Sequence, residues 1–438
     1  MTGEQGGATK RGSRPELPGG PYLVVGLARS GVAAARVLRE RGERVIGVDE
    51  GAPSGLEELE QAGVELHIGE DGVALVERAQ TVIKSPGVPR QAPVIARVLQ
   101  SERTVLGELE LGWRLLENEV IAVTGTNGKT TTVEWIAHIH RTAGLPVAVA
   151  GNVGAALSGL VGKIAGDVTV VCEVSSFQLE DADGFAPEAG VLLNISPDHL
   201  DRHGTMQAYT AAKLRLFEHQ TEDDIAVLPA DLDIAIPGRA RQVRWDVTGA
   251  EAWKIGLRGR HNLQNAMAAA AVCLARGIDE NAVREGLHTF TGVRHRLEEV
   301  ARKEGVVYVN DSKATNLAST LVALDAFPAG VVHLIVGGQG KGQEFSALGV
   351  AVKRSCKAVY AIGADGPSIG AALAGAGVPV RECGDLEHAV IAAEQAAKRG
   401  EVVLLSPACA SYDQFEDYEA RGEKYRELVL SRGIRKYV

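Results

Sequence analysis

The stretch Val120-Ile-Ala-Val-Thr-Gly-Thr-Asn-Gly-Lys-Thr-Thr-Thr132 reads as a buried strand, a tight glycine loop and the start of a helix. In the helix that follows, Val133, Ile136, Ala137 and His140 fall on one side, and Gly144 stands near its end. In such a turn the loop amides and the helix N-terminus form an anion cradle. Lys129 then reaches the terminal phosphates of a nucleotide, and the Thr130 hydroxyl is a ligand for Mg²⁺. A full phosphate-loop pattern has glycine six positions before the lysine; Val123 stands there, so the loop is an abbreviated variant.

Outward from this loop, short apolar runs alternate with alanine-rich helical patterns. The runs are Tyr22–Val25, Arg44–Val48, Thr81–Ile83, Val120–Val123, Val168–Val174, Val191–Ile195, Val306–Val309, Val331–Val336, Ala358–Ile362 and Val402–Leu405. Many are continuously hydrophobic, as parallel strands covered on both faces must be. The expected class is therefore α/β with mostly parallel sheets. The polar motifs fall at or just past the carboxyl ends of these strands, where open α/β sheets bind ligands. One mouth per domain, facing a shared cleft, is the economical arrangement.

A chain of 438 residues exceeds what one hydrophobic core supports, and three domains are expected. Their limits are read as 21–107, 108–293 and 294–438, preceded by a mobile extension over residues 1–20 that is rich in Gly, Arg, Pro and Ser. A formal charge of -10 argues against a general nucleic-acid binder. The longest apolar stretch, around Ala266 to Ala275, is too short to span a bilayer, and the N-terminus lacks the apolar core of a signal peptide; a cytoplasmic protein is expected. Five widely spaced cysteines with no C-x-x-C pair indicate neither a disulfide framework nor a zinc site.

Two further signals lie outside the loop. Glu173 ends the run Val-Thr-Val-Val-Cys, so its carboxylate emerges at a sheet's carboxyl edge where it can hold Mg²⁺ directly or through water; a surface or capping glutamate, two residues before Ser175-Ser176, is the plain alternative. Gly26-x-Ala28-x-x-Gly31 follows the first strand and Asp49 ends the second, like a dinucleotide fingerprint with its middle glycine replaced. That pattern supports a nucleotide or sugar-nucleotide domain and also a rival reading, a nicotinamide-dependent oxidoreductase. The rival leaves the triphosphate loop unexplained.

Taken together, Gly125-Thr-Asn-Gly-Lys-Thr130, Gly151-Asn152, Glu173-Val-Ser-Ser-Phe-Gln178, Asn194-x-x-x-Asp198-His199, Gly259-Arg-His-Asn-Leu-Gln-Asn265, His295-Arg296, Asp311-Ser-Lys-Ala-Thr-Asn316 and Ser406-Pro-Ala-Cys-Ala-Ser-Tyr-Asp-Gln-Phe415 resemble the Mur ligase family. The resemblance runs from about Tyr22 to the C-terminus, and its last two segments are most similar to the branch that adds D-glutamate. It implies an N-terminal Rossmann-like domain for the UDP group, a central ATPase domain and a C-terminal Rossmann-like domain for the incoming amino acid. The implied reaction forms an amide bond between UDP-N-acetylmuramoyl-L-alanine and D-glutamate through an acyl phosphate, a cytoplasmic step of peptidoglycan precursor synthesis. A monomer acting on small molecules is expected.

The resemblance also assigns residues. Gly125, Thr126, Asn127, Gly128, Lys129, Thr130, Thr131, Asn265, Arg296 and Asp311 would contact ATP. Thr130 and Glu173 would serve one Mg²⁺, and His199 with Lys213 a second. An ammonium cannot bind a cation, so the family's carbamate, formed on this lysine from CO₂, would make Lys213 an anionic oxygen ligand. By itself Lys213 reads as a snorkelling helix lysine, and His199 as a turn cap or a metal ligand. Ala28, Arg29, Ser30, Asp49, Ser85, Gly87, Asn152 and Ser175 would meet the UDP-linked substrate. Glu50 and Gly51 depart from the residues some relatives use near uracil. For D-glutamate, Lys313 and Lys341 offer charge, Thr315, Ser411 and the Tyr412 amide offer hydrogen bonds, and Tyr412 and Tyr418 offer packing.

Sibling ligases that add diamino acids would be expected to carry an Asp-Asn-Pro-Arg type motif in the last domain, where Asp311-Ser-Lys-Ala-Thr follows another pattern. A sibling ligase, including one extending folate, a nicotinamide oxidoreductase and a non-catalytic nucleotide switch are the competing readings.

Overall fold

The computed structural model describes residues 14–51, 53, 55–101, 103–257, 259–340 and 344–431, without the side chain of Asp201. The chain divides into two compact units, one reaching to Gly256 and including His261–Phe290, the other formed by Leu257–Arg260 and the chain from Thr291 onward.

The first unit holds two sheets. Strands β1 (Tyr22–Val25), β2 (Val45–Asp49), β3 (Glu65–Ile68), β4 (Thr81–Lys84) and β5 (Thr104–Gly107) form a five-stranded sheet in the order β3-β2-β1-β4-β5. All its pairings are parallel. Strands β6 (Val120–Thr124), β7 (Val147–Gly151), β8 (Thr169–Glu173), β9 (Ala189–Leu192), β10 (Ile225–Pro229) and β11 (Arg241–Trp245) form a six-stranded parallel sheet, β11-β10-β9-β6-β8-β7. The second unit holds β12 (Glu298–Lys303), β13 (Val306–Asn310), β14 (Val332–Gly337), β15 (Cys356–Ile362), β16 (Val380–Gly384) and β17 (Val402–Leu405), ordered β12-β13-β17-β14-β15-β16. Only the β12–β13 pair there is antiparallel.

The fold class expected from the apolar runs is the one found. Interior strands such as β1, β6 and β17 are buried at every residue, because helices cover both faces. In each sheet the strand order reverses beside a strand whose following loop carries a candidate site: β1 and β4, β6 and β8, β13 and β17. Such reversals open a crevice at the carboxyl edge, because the connections leave to opposite sides.

The stretch expected to be a mobile extension needs correction over residues 14–20. Arg14 Nη1 donates to the carbonyls of Trp113 at 2.6 Å and Leu116 at 2.5 Å, and Nη2 donates to Asn118 O at 2.7 Å. The first two carbonyls belong to the last turn and C-cap of the helix Glu108–Leu115, so a guanidinium meets acceptors that the helix itself leaves open. The Gly19 carbonyl accepts from Thr81 Oγ1 at 2.8 Å. Residues 1–13 lie outside the described residues.

Candidate active site

Gly125 and Gly128 have φ of 158° and 87°, and a Cβ on Gly128 would collide with the Asn265 side-chain amide. The glycines are thus required by backbone geometry at the first and by close approach at the second. Asn194, just past β9, pins the loop: its Oδ1 accepts from Asn127 N at 2.9 Å and its Nδ2 donates to Asn127 O at 3.1 Å. The helix Lys129–Thr142 starts directly after the loop, with Thr130 and Thr131 buried. Lys129 Nζ donates to Gly125 O at 2.9 Å and to Thr126 O at 3.0 Å.

Glu173 emerges from β8 beside this helix. Its Oε2 accepts from Thr130 Oγ1 at 2.6 Å and its Oε1 from Asn152 Nδ2 at 2.9 Å. The capping alternative for Glu173 falls away, because Ser175 caps the helix Ser176–Leu179 in a reciprocal arrangement with Gln178.

Lys213 does not snorkel. It is 2% exposed, and its Nζ donates to Gly125 O at 2.9 Å, the carbonyl that Lys129 also uses. Burial, together with the neighbouring Lys129 charge, pulls its pKa down to about 7 against the opposing pull of Asp198. The structure thus brings Gly125–Thr131, Asn152, Glu173, Lys213 and Asn265 together. His199, at φ 52°, precedes the helix Leu200–His203, with its ring centre 4.8 Å from that of Phe177 and 6.4 Å from that of Tyr209. Tyr209 Oη meets Thr126 Oγ1 at 3.2 Å, which links the His199 turn to the phosphate loop.

At the edge of the first sheet, Ala28, Arg29 and Ser30 begin the helix Arg29–Glu40. Asp49 Oδ2 accepts from Leu27 N at 2.6 Å and Oδ1 from Gly51 N at 2.8 Å, so this carboxylate holds the glycine turn to β2. Ser85 Oγ donates to Gly26 O at 2.7 Å, and Gly87 follows two residues later. A Cβ on Gly31 would land on the Gly26 carbonyl, which is why that position stays glycine.

In the second unit, Asp311 follows β13 and is buried. It accepts from Ser406 Oγ at 2.8 Å and Leu297 N at 3.1 Å, while burial pushes its pKa up to about 7 against the pull of these donors and of Arg296. Lys313 Nζ lies 5.5 Å from the Tyr418 ring centre, and Ser411 is 2% exposed. Thr315 N donates to the Lys313 carbonyl at 2.8 Å, which tightens that turn. Tyr412 is 69% exposed. Lys341 lies outside the described residues.

Arg421 is a residue the sequence reading missed. It is 1% exposed on the helix Tyr418–Ser431 and donates through Nε to Ser312 Oγ at 2.9 Å, through Nη2 to Ser312 O at 2.9 Å, and through Nη1 to Cys409 O at 3.1 Å and Ala410 O at 3.2 Å. One guanidinium therefore ties the loop after β13 to the loop after β17. The signal was available: Arg421 shares its helix face with Tyr425 and Leu428, an apolar face where a charge needs a reason.

A phosphate loop with a hydroxyl, a carboxylate and a buried lysine at its mouth, in a chain that folds into three mostly parallel sheets, defines a multidomain α/β nucleotide-binding protein. Residues 21–107 match the N-terminal domain of MurD-like Mur ligases, 123–247 the Mur ligase middle domain, and 295–409 the Mur ligase glutamate ligase domain. A UDP-N-acetylmuramoylalanine–D-glutamate ligase of Acidobacterium capsulatum is 40% identical over 95% of this chain and 97% of its own length. That of Pelotomaculum thermopropionicum is 39% identical over 93% and 97%. The crystal structure of UDP-N-acetylmuramate-alanine ligase from Thermotoga maritima superposes with a TM-score of 0.59 at 18% identity, covering 94% of this chain and 99% of that one, a likeness of fold. The chain belongs to the Mur ligase family.

Proposed function

We propose that the protein adds D-glutamate to UDP-N-acetylmuramoyl-L-alanine at the expense of ATP. The observation that carries this reading is similarity to ligases named for that reaction along 95% of the chain. The proposed working parts are a sugar-nucleotide domain (21–107), an ATP domain (108–293) and an amino-acid domain (294–438).

The chemistry needs a triphosphate and a carboxylate brought together, two anions whose repulsion must be offset by fixed cations. In this reading the loop amides and Lys129 hold the phosphates, and Asn265, Arg296 and Asp311 complete the nucleotide contacts. The substrate carboxylate oxygen attacks the γ-phosphorus and ADP leaves. The amine of D-glutamate, having lost a proton, then attacks the acyl carbon and phosphate leaves, closing the amide bond. Lys313, Thr315, Lys341, Ser411, Tyr412 and Tyr418 would orient D-glutamate, whose two carboxylates call for more than one cationic or hydrogen-bonding cluster.

The donor set at the loop suits Mg²⁺: a hydroxyl and a carboxylate 2.6 Å apart. Among the described residues no three His, Cys, Asp or Glu side chains gather as a metal site. Thr130 and Glu173 would hold one Mg²⁺, His199 and carbamylated Lys213 another, and the ions would neutralise charge between the reacting groups. A lysine that loses its proton near pH 7 supplies the neutral amine that CO₂ requires.

The reading carries with it a monomer acting in the cytoplasm on small molecules. Among the described residues no helix is long and apolar enough to cross a membrane. The test is mass spectrometry of the sugar nucleotide after incubation with ATP, Mg²⁺ and D-glutamate. A product heavier by one glutamyl residue is expected; recovery of unchanged substrate from active-concentration protein would overturn the proposal.

A further inference from the structure

Beside the candidate sugar-nucleotide contacts runs a buried line of polar groups that the proposed reaction does not use. Ser176 Oγ is 3.0 Å from His203 Nε2, and His203 Nδ1 is 3.2 Å from Glu180 Oε1. With Glu180 ionised, Nδ1 carries the proton and Nε2 accepts from the serine hydroxyl. The imidazole also stacks on Phe177 at 5.3 Å with an interplanar angle of 11°, and lies 5.2 Å from Tyr209.

A serine, a histidine and a carboxylate in this order resemble a nucleophile triad, yet Ser176 is 2% exposed and the His203 side chain 2%. No acyl group reaches a hydroxyl so enclosed, so the arrangement serves to hold rather than to react. What it holds is informative. Ser176 follows Ser175, a proposed substrate contact, and His203 closes the short helix that starts after His199. The adjacent Arg202 places its guanidinium 4.0 Å over the same Phe177 ring, lies 3.8 Å from Glu180, and donates to Val88 O at 3.3 Å. Val88 ends the loop bearing Ser85 and Gly87, and its carbonyl also accepts from Lys84 Nζ at 2.9 Å. Lys84, fully buried, is paired with Asp181 at 2.7 Å.

We propose that His203, with Arg202, is a positioning residue for the UDP-linked substrate. Between them the two residues join three segments that carry proposed substrate or metal contacts: His203 meets the Ser175–Glu180 turn and the His199 turn, and Arg202 reaches the Ser85–Val88 loop. The pair acts by fixing their spacing. The inference rests on the proposed reaction only for the identity of the ligand.

His203→Phe keeps the stack on Phe177 and removes both hydrogen bonds, and His203→Gln restores hydrogen-bonding capacity without the ring. Calorimetric titration with UDP-N-acetylmuramoyl-L-alanine, in the absence of ATP, should show Kd raised about tenfold in His203→Phe, the loss of one to two buried hydrogen bonds. His203→Gln should recover part of it. In steady state the KM for the sugar nucleotide should rise while that for D-glutamate stays within about twofold. Unchanged Kd in a folded His203→Phe protein, or an equal rise in both KM values, would overturn the proposal. Should His203→Phe not fold, Arg202→Met must show the same selective rise, and its absence overturns the proposal equally. Wild-type protein that binds the sugar nucleotide but forms no glutamyl product would end the reaction proposal; loss of that binding in His203→Phe would still support the positioning role.

Discussion

Lys129 and Lys213 share one acceptor, the Gly125 carbonyl, yet their removal should have different consequences. Lys129→Ala takes away the charge proposed for the terminal phosphates, and kcat should fall at least about 100-fold; near-normal kcat would refute the loop assignment. Lys213→Ala should also be inactive but should recover in part when acetate or formate is added, because a small carboxylate supplies the oxygens of the carbamate. Absence of rescue, with no CO₂ adduct on the wild-type lysine by mass spectrometry, would remove the carbamate from the account. Asp311 gives a pH prediction. Its pKa rises from 3.8 to about 7 on folding, so between those values the folded chain holds more protons than the unfolded one and stability falls as pH rises. Asp311→Asn should flatten that slope, measured as Tm against pH from about 4 to about 8; an unchanged slope would place the ionisation elsewhere.

At the scale of elements, the helix Tyr418–Ser431 does more than cover a sheet. Arg421 on it meets four acceptors in two loops, and Arg421→Met would remove all four of those hydrogen bonds from a buried position. We expect a lower Tm and a KM for D-glutamate raised more than that for ATP. A KM change confined to ATP would contradict the role assigned to these loops. The sequence displayed the strands that matter most and hid others for a physical reason. The six strands at sheet edges, β3, β5, β7, β11, β12 and β16, all escaped the reading. An edge faces water on one side, so segments such as Glu-Glu-Val-Ala-Arg-Lys in β12 and Arg-Gln-Val-Arg-Trp in β11 carry charges and lose the continuous apolar run. The interior strand β10 escaped too; it ends in Pro229, a residue that argues against a central strand. Side chains at the carboxyl ends of interior strands, Glu173 and Asp311 among them, were legible because the backbone itself puts them at the mouth. His203 and Ser176 were not: their value lies in contacts between neighbouring turns that only the folded chain brings together.

For the whole molecule, the account rests on each sheet presenting its candidate groups at one carboxyl edge: Gly26, Asp49 and Ser85 in the first, the phosphate loop and Glu173 in the second, Asp311 and Ser411 in the third. Amides and a lysine suit a phosphate, and a lysine with hydroxyls suits a dicarboxylate. The central claim is that ATP cleavage is coupled to one amino acid. The most direct measurement is phosphate release by the purified protein with ATP, Mg²⁺ and UDP-N-acetylmuramoyl-L-alanine, comparing D-glutamate with L-glutamate, meso-diaminopimelate and no amino acid. The account predicts release with D-glutamate alone; release that is indifferent to the amino acid, or that follows a different one, would contradict it.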